Sequence, residues 1–171
     1  MRFARLSSQM TALVAAAALA TTTLSACSQE DPAVAELSVA PTTTDAPAFQ
    51  AKEVDTITAP SLTERVKDEG LNVEYELQGA GYNNEGGGSV IYVLVHNLNE
   101  VALPTDAITT SLRVSGTEVS PIDAGTIPLD LPLGPLASTN LQFAFDTSTG
   151  NLWDATFRIG NVEFNGNLNN V

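Results

Sequence analysis

From Leu71 onward, apolar and polar side chains alternate one by one, and this pattern limits the possible folds more than any other feature of the chain. Leu71, Val73, Tyr75 and Leu77 are interleaved with Asn72, Glu74, Glu76 and Gln78. A period of two places the first set on one face of an extended strand and the second on the other, whereas a helix would scatter both around its axis. The pattern returns at Leu141, Phe143 and Phe145, set against Asn140, Gln142 and Ala144. It returns again at Trp153, Ala155, Phe157 and Ile159, set against Asp154, Thr156 and Arg158. Trp153 is expected in the core, since it opens the apolar set and a sandwich interior suits tryptophan.

Between these strands lie residues that turn a chain. Asn83-Asn84-Glu85-Gly86-Gly87-Gly88 reads as a loop, because Asn and Gly tolerate positive φ. It lacks the Lys, the Ser or Thr and the following helix of a phosphate-binding loop. Ser89 to Val95 is a β-branched and aromatic run, which predicts a central strand apolar on both faces, ending in the polar turn His96-Asn97-Leu98-Asn99-Glu100. Ala107 to Val114 predicts a strand with Leu112 and Val114 inward, joined through Ser115-Gly116 to Thr117-Glu118-Val119 as a hairpin. Asp146 to Asn151 turns the chain, and Gly160-Asn161 closes a last hairpin onto Val162-Glu163-Phe164. Earlier, Ser61-Leu62-Thr63-Glu64 reads equally as a capping box or as a short first strand. Short strands with no amphipathic helix among them predict an all-β fold, an antiparallel β-sandwich, with an up-and-down barrel as the alternative.

The chain begins differently. Arg2 and Arg5 precede an Ala-rich apolar run from Met10 to Leu19, and no acid occurs before Glu30. That order is a signal peptide, expected over residues 1–26. Its apolar part of roughly 10–15 residues falls short of the roughly 20 that span a bilayer. Small residues lead directly into the only cysteine, in the order Leu24-Ser25-Ala26-Cys27, which resembles a bacterial lipobox. The resemblance implies a diacylglyceryl group on the Cys27 thiol, cleavage before that residue and often acylation of the new amino terminus. It places the protein on the extracytoplasmic face of the cell membrane. Each buried methylene contributes about 0.8 kcal/mol and one chain holds only marginally, so two or three acyl chains are what keep such a protein in place.

Residues 27–59 are expected to form a tether. Ser28 to Ala59 holds Pro32, Pro41 and Pro47 among Ala, Thr, Ser and six acids, with Phe49 its one aromatic. Such a composition buries too little apolar surface to fold and predicts disorder. About 30 residues of flexible chain reach roughly 30 Å, enough to carry residues 60–171, expected as one domain, past the lipid headgroups. With Cys27 used by lipid no disulfide remains, so an apolar core must stabilise that domain. The chain carries 7 Lys and Arg against 20 Asp and Glu; without Arg2 and Arg5 the balance is 5 against 20, near −15. Lys52, Arg65, Lys67, Arg113 and Arg158 are too few and too scattered to bind nucleic acid.

No catalytic constellation is legible. His96 is the sole histidine and ends a strand, where a structural role is expected. No Gly-x-Ser-x-Gly elbow supplies a nucleophile. One imidazole without a free thiolate does not make a zinc site, and Asp146-Thr147-Ser148-Thr149-Gly150 lacks the further carboxylates of a calcium loop. Glu74 and Glu76 share a strand face as solvated charge rather than as a catalytic pair. The expectation is a protein that is not an enzyme and carries no cofactor.

Tyr92-Val93-Leu94-Val95-His96-Asn97, then Leu112-Arg113-Val114 with its Gly116 turn, then Leu133-Gly134-Pro135 ahead of Leu141-Gln142-Phe143-Ala144-Phe145-Asp146, form a recognisable series. It resembles the immunoglobulin-like domain of unknown function found in lipoproteins of Gram-positive bacteria. The resemblance implies an immunoglobulin-like β-sandwich in the cell envelope and assigns no catalytic residues. The departure is the stretch holding Pro121, Pro128, Pro132 and Pro135, which are expected to forbid regular pairing from Ile122 to Leu136. There Leu129, Leu131 and Leu133 are spaced by two, and either cap the open edge of the sandwich or present one apolar row to a partner. The function expected is that of a lipid-anchored interaction module for an envelope protein or polymer. A small-molecule- or metal-binding lipoprotein is the alternative.

Overall fold

A computed structural model describes residues 47–171. The expected signal peptide, the expected lipidation site Cys27, and the expected tether through residue 46 lie outside the described residues. Ten strands follow one another: β1 Ile57–Thr58, β2 Val66–Asp68, β3 Val73–Tyr82, β4 Ser89–Asn97, β5 Thr110–Val114, β6 Thr117–Val119, β7 Pro121–Ile127, β8 Ser138–Phe145, β9 Ala155–Ile159 and β10 Val162–Gly166. Two 3-10 turns, Thr149–Asp154 and Leu168–Asn170, complete the set. The strands form a front sheet in the order β2-β3-β4-β8-β7 and a back sheet in the order β1-β10-β9-β5-β6. Pairing is antiparallel except that β1 runs parallel to β10. Neither sheet closes on itself, so the fold is an all-β sandwich rather than a barrel, consistent with an immunoglobulin-like arrangement.

The alternating residues meet between the sheets. Val73, Tyr75 and Leu77 of β3, Val93 and Val95 of β4, and Leu141, Phe143 and Phe145 of β8 are buried with Leu112, Phe157, Ile159, Val162 and Phe164 of the back sheet. Phe157 joins the two layers, its ring centroid 6.2 Å from that of Phe143 and 6.1 Å from that of Phe145, the second edge-on. The β5–β6 and β9–β10 hairpins form where their turn residues predict them, and Val114 is half-buried against the core.

Several expectations are corrected. Trp153 is 63% exposed, and Leu152 is buried in its place. The chain winds into a 3-10 turn over Thr149–Asp154 before β9 starts, so the period of two does not reach back to the tryptophan. β4 is central in the front sheet but has one wet side, with Tyr92 exposed and Leu94 and His96 half-buried, and it continues to Asn97 where a turn was expected. The prolines do not abolish pairing, since β7 meets β8 at Pro121, Ile122 and Ile127. An edge strand tolerates this because Pro121 stands at its first position. Ser61-Leu62-Thr63-Glu64 forms neither helix nor strand. The end of the tether is not free: Ile57 and Thr58 pair with Val162 and Glu163, and Lys52 N donates to Gly70 O at 2.8 Å. Composition argued for disorder there, but β10 offers an edge whose backbone groups need partners.

Candidate functional site

On the outer face of the front sheet the strand registers set side chains in rows. Glu74, His96 and Ser138 are partners across β3, β4 and β8, and Glu76, Leu94 and Asn140 form the next row. Then come Gly79, Tyr92, Gln142 and Ile127, the last from β7, followed by Gly81, Val90, Ala144 and Ile122. Successive rows lie about 7 Å apart, two residues of strand. One end of the face is charged and hydrogen-bonding; the other is aromatic and apolar. His96 Nδ1 and Ser138 Oγ share a hydrogen bond of 2.6 Å, and Arg65 Nε donates to Glu76 Oε2 at 2.6 Å. That bond and the charge of Glu76 raise the pKa of the Arg65 guanidinium further.

Both register irregularities of the sheet flank the Tyr92 row. In β3 the shift falls between Leu77 and Gly79, and in β7 between Ile122 and Ile127. The first sets Gly79, at φ 147°, beside Tyr92 with open space where a Cβ would stand. At Gly81 the corresponding Cβ position is 3.8 Å from Tyr92 Cε2, so the ring leans over that glycine. The second lets residues 123–126 bow away from β8, and Thr126 replaces the interrupted ladder: its hydroxyl accepts from Ala144 N at 2.9 Å and donates to Ile122 O at 2.6 Å. Asn83 Nδ2 donates to Ala124 O at 2.8 Å and Gln142 Nε2 to Gly125 O at 2.5 Å. Gly125, at φ 85°, is so close to Asn83 that a Cβ would overlap Asn83 Oδ1. Bulges of this sort re-aim side chains and recur beside binding sites.

The bulges shape a cleft of about 160 Å³ lined by Tyr82, Asn84, Glu85, Tyr92, Gly125 and Gln142, with Asn83 and Val90 behind them. Tyr82 is 62% and Tyr92 39% exposed, so both phenols offer surface to a ligand. Gln142 uses an amide hydrogen on Gly125 O and keeps its carbonyl oxygen as an acceptor. No cation lines the cleft. The arrangement can stack a flat apolar surface and hydrogen-bond its edges.

The residues singled out from sequence fall elsewhere. Cys27 lies outside the described residues. Leu129, Leu131 and Leu133 do not form a row, since Leu129 and Leu133 are 9% and 8% exposed whereas Leu131 is 71% exposed. Leu133 exchanges two backbone hydrogen bonds of 2.9 Å with Leu103, and Asn97 Nδ2 reaches Leu133 O at 3.0 Å and Gly134 O at 2.9 Å. The segment is therefore folded onto the end of the sandwich, with Leu131 and Leu136 left outside. Tyr82, Tyr92 and Gln142 escaped sequence reading because only the strand registers bring them together. The available signal was Gly79 and Gly81 inside an alternating strand, a mark of a bulge or of close approach.

Two other cavities adjoin residues 51–57. One of about 420 Å³ is lined by Lys52, Glu53, Thr109 and Arg158 among others; the second, about 230 Å³, is lined mainly by Val54, Ile57 and Asp68. Asp68 is wholly buried yet fully used. It accepts from Gly70 N at 2.8 Å, Leu71 N at 3.1 Å, Asn161 N at 2.9 Å and Asn161 Nδ2 at 3.0 Å, which clamps the β2–β3 turn to the β9–β10 turn. Among the described residues no group of three or more His, Cys, Asp or Glu side chains is placed to hold a metal ion, and no helix is long and apolar enough to cross a membrane. No family model matches the chain, and neither a curated protein nor a solved structure does.

Proposed function

We propose that this chain is a lipid-anchored cell-envelope protein, held on the extracytoplasmic face of the membrane through lipid on Cys27, whose β-sandwich docks an envelope polymer or protein. The order Leu24-Ser25-Ala26-Cys27 after a short apolar run supports the anchor. The observation that carries the docking face is the row Gly79-Tyr92-Gln142-Ile127, held between two bulges with Tyr92 and Ile127 exposed. Exposed aromatic and apolar side chains grouped in one row, rather than scattered singly, mark an interaction site. From Tyr92 to His96 the face runs about 14 Å along β4, a length that suits an extended chain. A small-molecule ligand is the second reading, favoured by the cavity of about 420 Å³ in which two of the few cations, Lys52 and Arg158, share a wall. Native mass spectrometry of protein purified from its own membrane separates the readings. A co-purifying polymer or protein that is lost in Tyr92→Ala supports docking. A retained small molecule lost in Arg158→Ala, and kept in Tyr92→Ala, supports the second reading. Failure of the full chain to incorporate labelled fatty acid would remove the anchor.

A further inference from the structure

We infer that the Tyr82–Tyr92 cleft holds one ring of a neutral polysaccharide, with neighbouring units lying along the strip toward Asn140 and Ser138; this rests on the docking reading above. The cleft is lined by no cation and by the carboxylate of Glu85, and the strip beside it carries Glu76 and Glu74 on a chain of net charge −13. A phosphate- or uronate-bearing ring in the cleft would meet the Glu85 carboxylate and no cation, and the two cations beside the strip are already matched, Arg65 by Glu76 and Lys67 by Glu69.

The backbone argues against a peptide. β3, β4 and β8 are interior strands whose N–H and C=O groups are taken up by their neighbours, so a peptide laid on this face gains none of the main-chain bonds that strand addition supplies. A saccharide needs none. Its ring presents a C–H face to stack on a phenol, and its hydroxyls point sideways as donors and acceptors. Around Tyr82 and Tyr92 stand the Gln142 carbonyl, the Asn84 amide and the Glu85 carboxylate, which can answer those hydroxyls. The volume fits as well. A cleft of about 160 Å³ is on the scale of a single ring rather than of a longer segment. The two glycines serve the same approach, because Gly79 leaves the space beside Tyr92 open and Gly81 lets the ring lie low over β3.

Full-length protein in detergent is tested by saturation-transfer NMR and calorimetry against neutral oligosaccharides of glucose, mannose, galactose, arabinose and N-acetylglucosamine. A polyglycerol phosphate and a polyuronate serve as anionic arms. Binding is expected to at least one neutral series, weakened about tenfold or more in Tyr92→Ala and in Gln142→Ala. It should be retained in Tyr92→Phe, which keeps the ring, and in Glu118→Gln, which alters an exposed residue of the edge strand β6 in the other sheet. Thermal melts matching wild type show that each variant is folded. Binding of the anionic arms alone, or neutral binding undiminished in Tyr92→Ala and Gln142→Ala, overturns the inference. Should an envelope protein be captured through Tyr92 while no sugar binds, the saccharide falls and the docking reading stands. If Tyr92→Ala changes neither sugar binding nor recovery of a partner, both fall.

Discussion

Individual polar residues govern parts of this fold about which alternation is silent. Asn97, 1% exposed, donates to Val101 O, Leu133 O and Gly134 O and accepts from Asn99 N and Nδ2, so one amide ties the loops after β4 and before β8. Tyr75 is the opposite case, wholly buried with a hydroxyl that has no hydrogen-bond partner among the described residues. An unsatisfied buried hydroxyl costs about 1–3 kcal/mol, and Tyr75→Phe is expected to leave stability unchanged or to raise it by about 1 kcal/mol. The substitution should also alter the response to alkali. Burial, and then the charge of Asp68, push the Tyr75 phenol well above its ordinary range in the folded state, while the unfolded chain ionises near pH 10. A raised folded-state value contributes stability that is fully present below about pH 10 and is lost as pH climbs from there toward the higher folded value. Melting followed from neutral to strongly alkaline pH should fall more steeply for the wild type than for Tyr75→Phe; equal slopes would show that another group governs.

Among the elements, the strands with a strict period of two were legible because the period is a property of neighbouring residues. β3, β8 and β9 place their apolar sets inward as the alternation requires. The segment before β9 was not legible, because Trp153 continues the alternation on paper and only the tightness of the turn decides that Leu152 points inward instead. Leu152→Ala is expected to cost about 2–5 kcal/mol, as deletion of a fully buried leucine does. Trp153→Ala should change stability by no more than about 0.5 kcal/mol. Chemical denaturation of both variants checks this, and the reverse ranking would contradict the 3-10 turn. β7 is not legible in the sequence because Pro121 at its start and Pro128 just past its end signal loops, while its pairing depends on lying at an edge and on Thr126 satisfying Ala144 N.

For the molecule as a whole, the short β1 contributes a covered edge as well as contacts. Ile57 N donates to Asn161 O at 2.9 Å and Ala59 N to Glu163 O at 2.8 Å. Each such bond nets about 0.5–1.5 kcal/mol before the entropy of ordering the segment. A chain starting at Ser61 is therefore expected to fold, to lose about 1–2 kcal/mol and to self-associate more readily through the exposed edge of β10. Denaturation with light scattering, against a chain starting at Pro47, measures both effects. Unchanged stability together with unchanged association would mean that the β1 contact contributes nothing.

By itself the sequence determined that the carboxy-terminal region is built of strands, where most of its turns fall, which residues of β3, β8 and β9 form the core, and that no disulfide supports them. These follow from short-range periodicity and from composition. Tertiary structure alone decided that β4 has a wet face, that Leu131 is separated from Leu129 and Leu133, and that Gly79, Tyr92, Gln142 and Ile127 stand in one row. These residues come from two successive pairs of strands, β3 with β4 and, after β5 and β6, β7 with β8, and two bulges set their registers. A shift of one residue in any of the pairings would carry a side chain to the other face, and no local preference along the sequence records that choice.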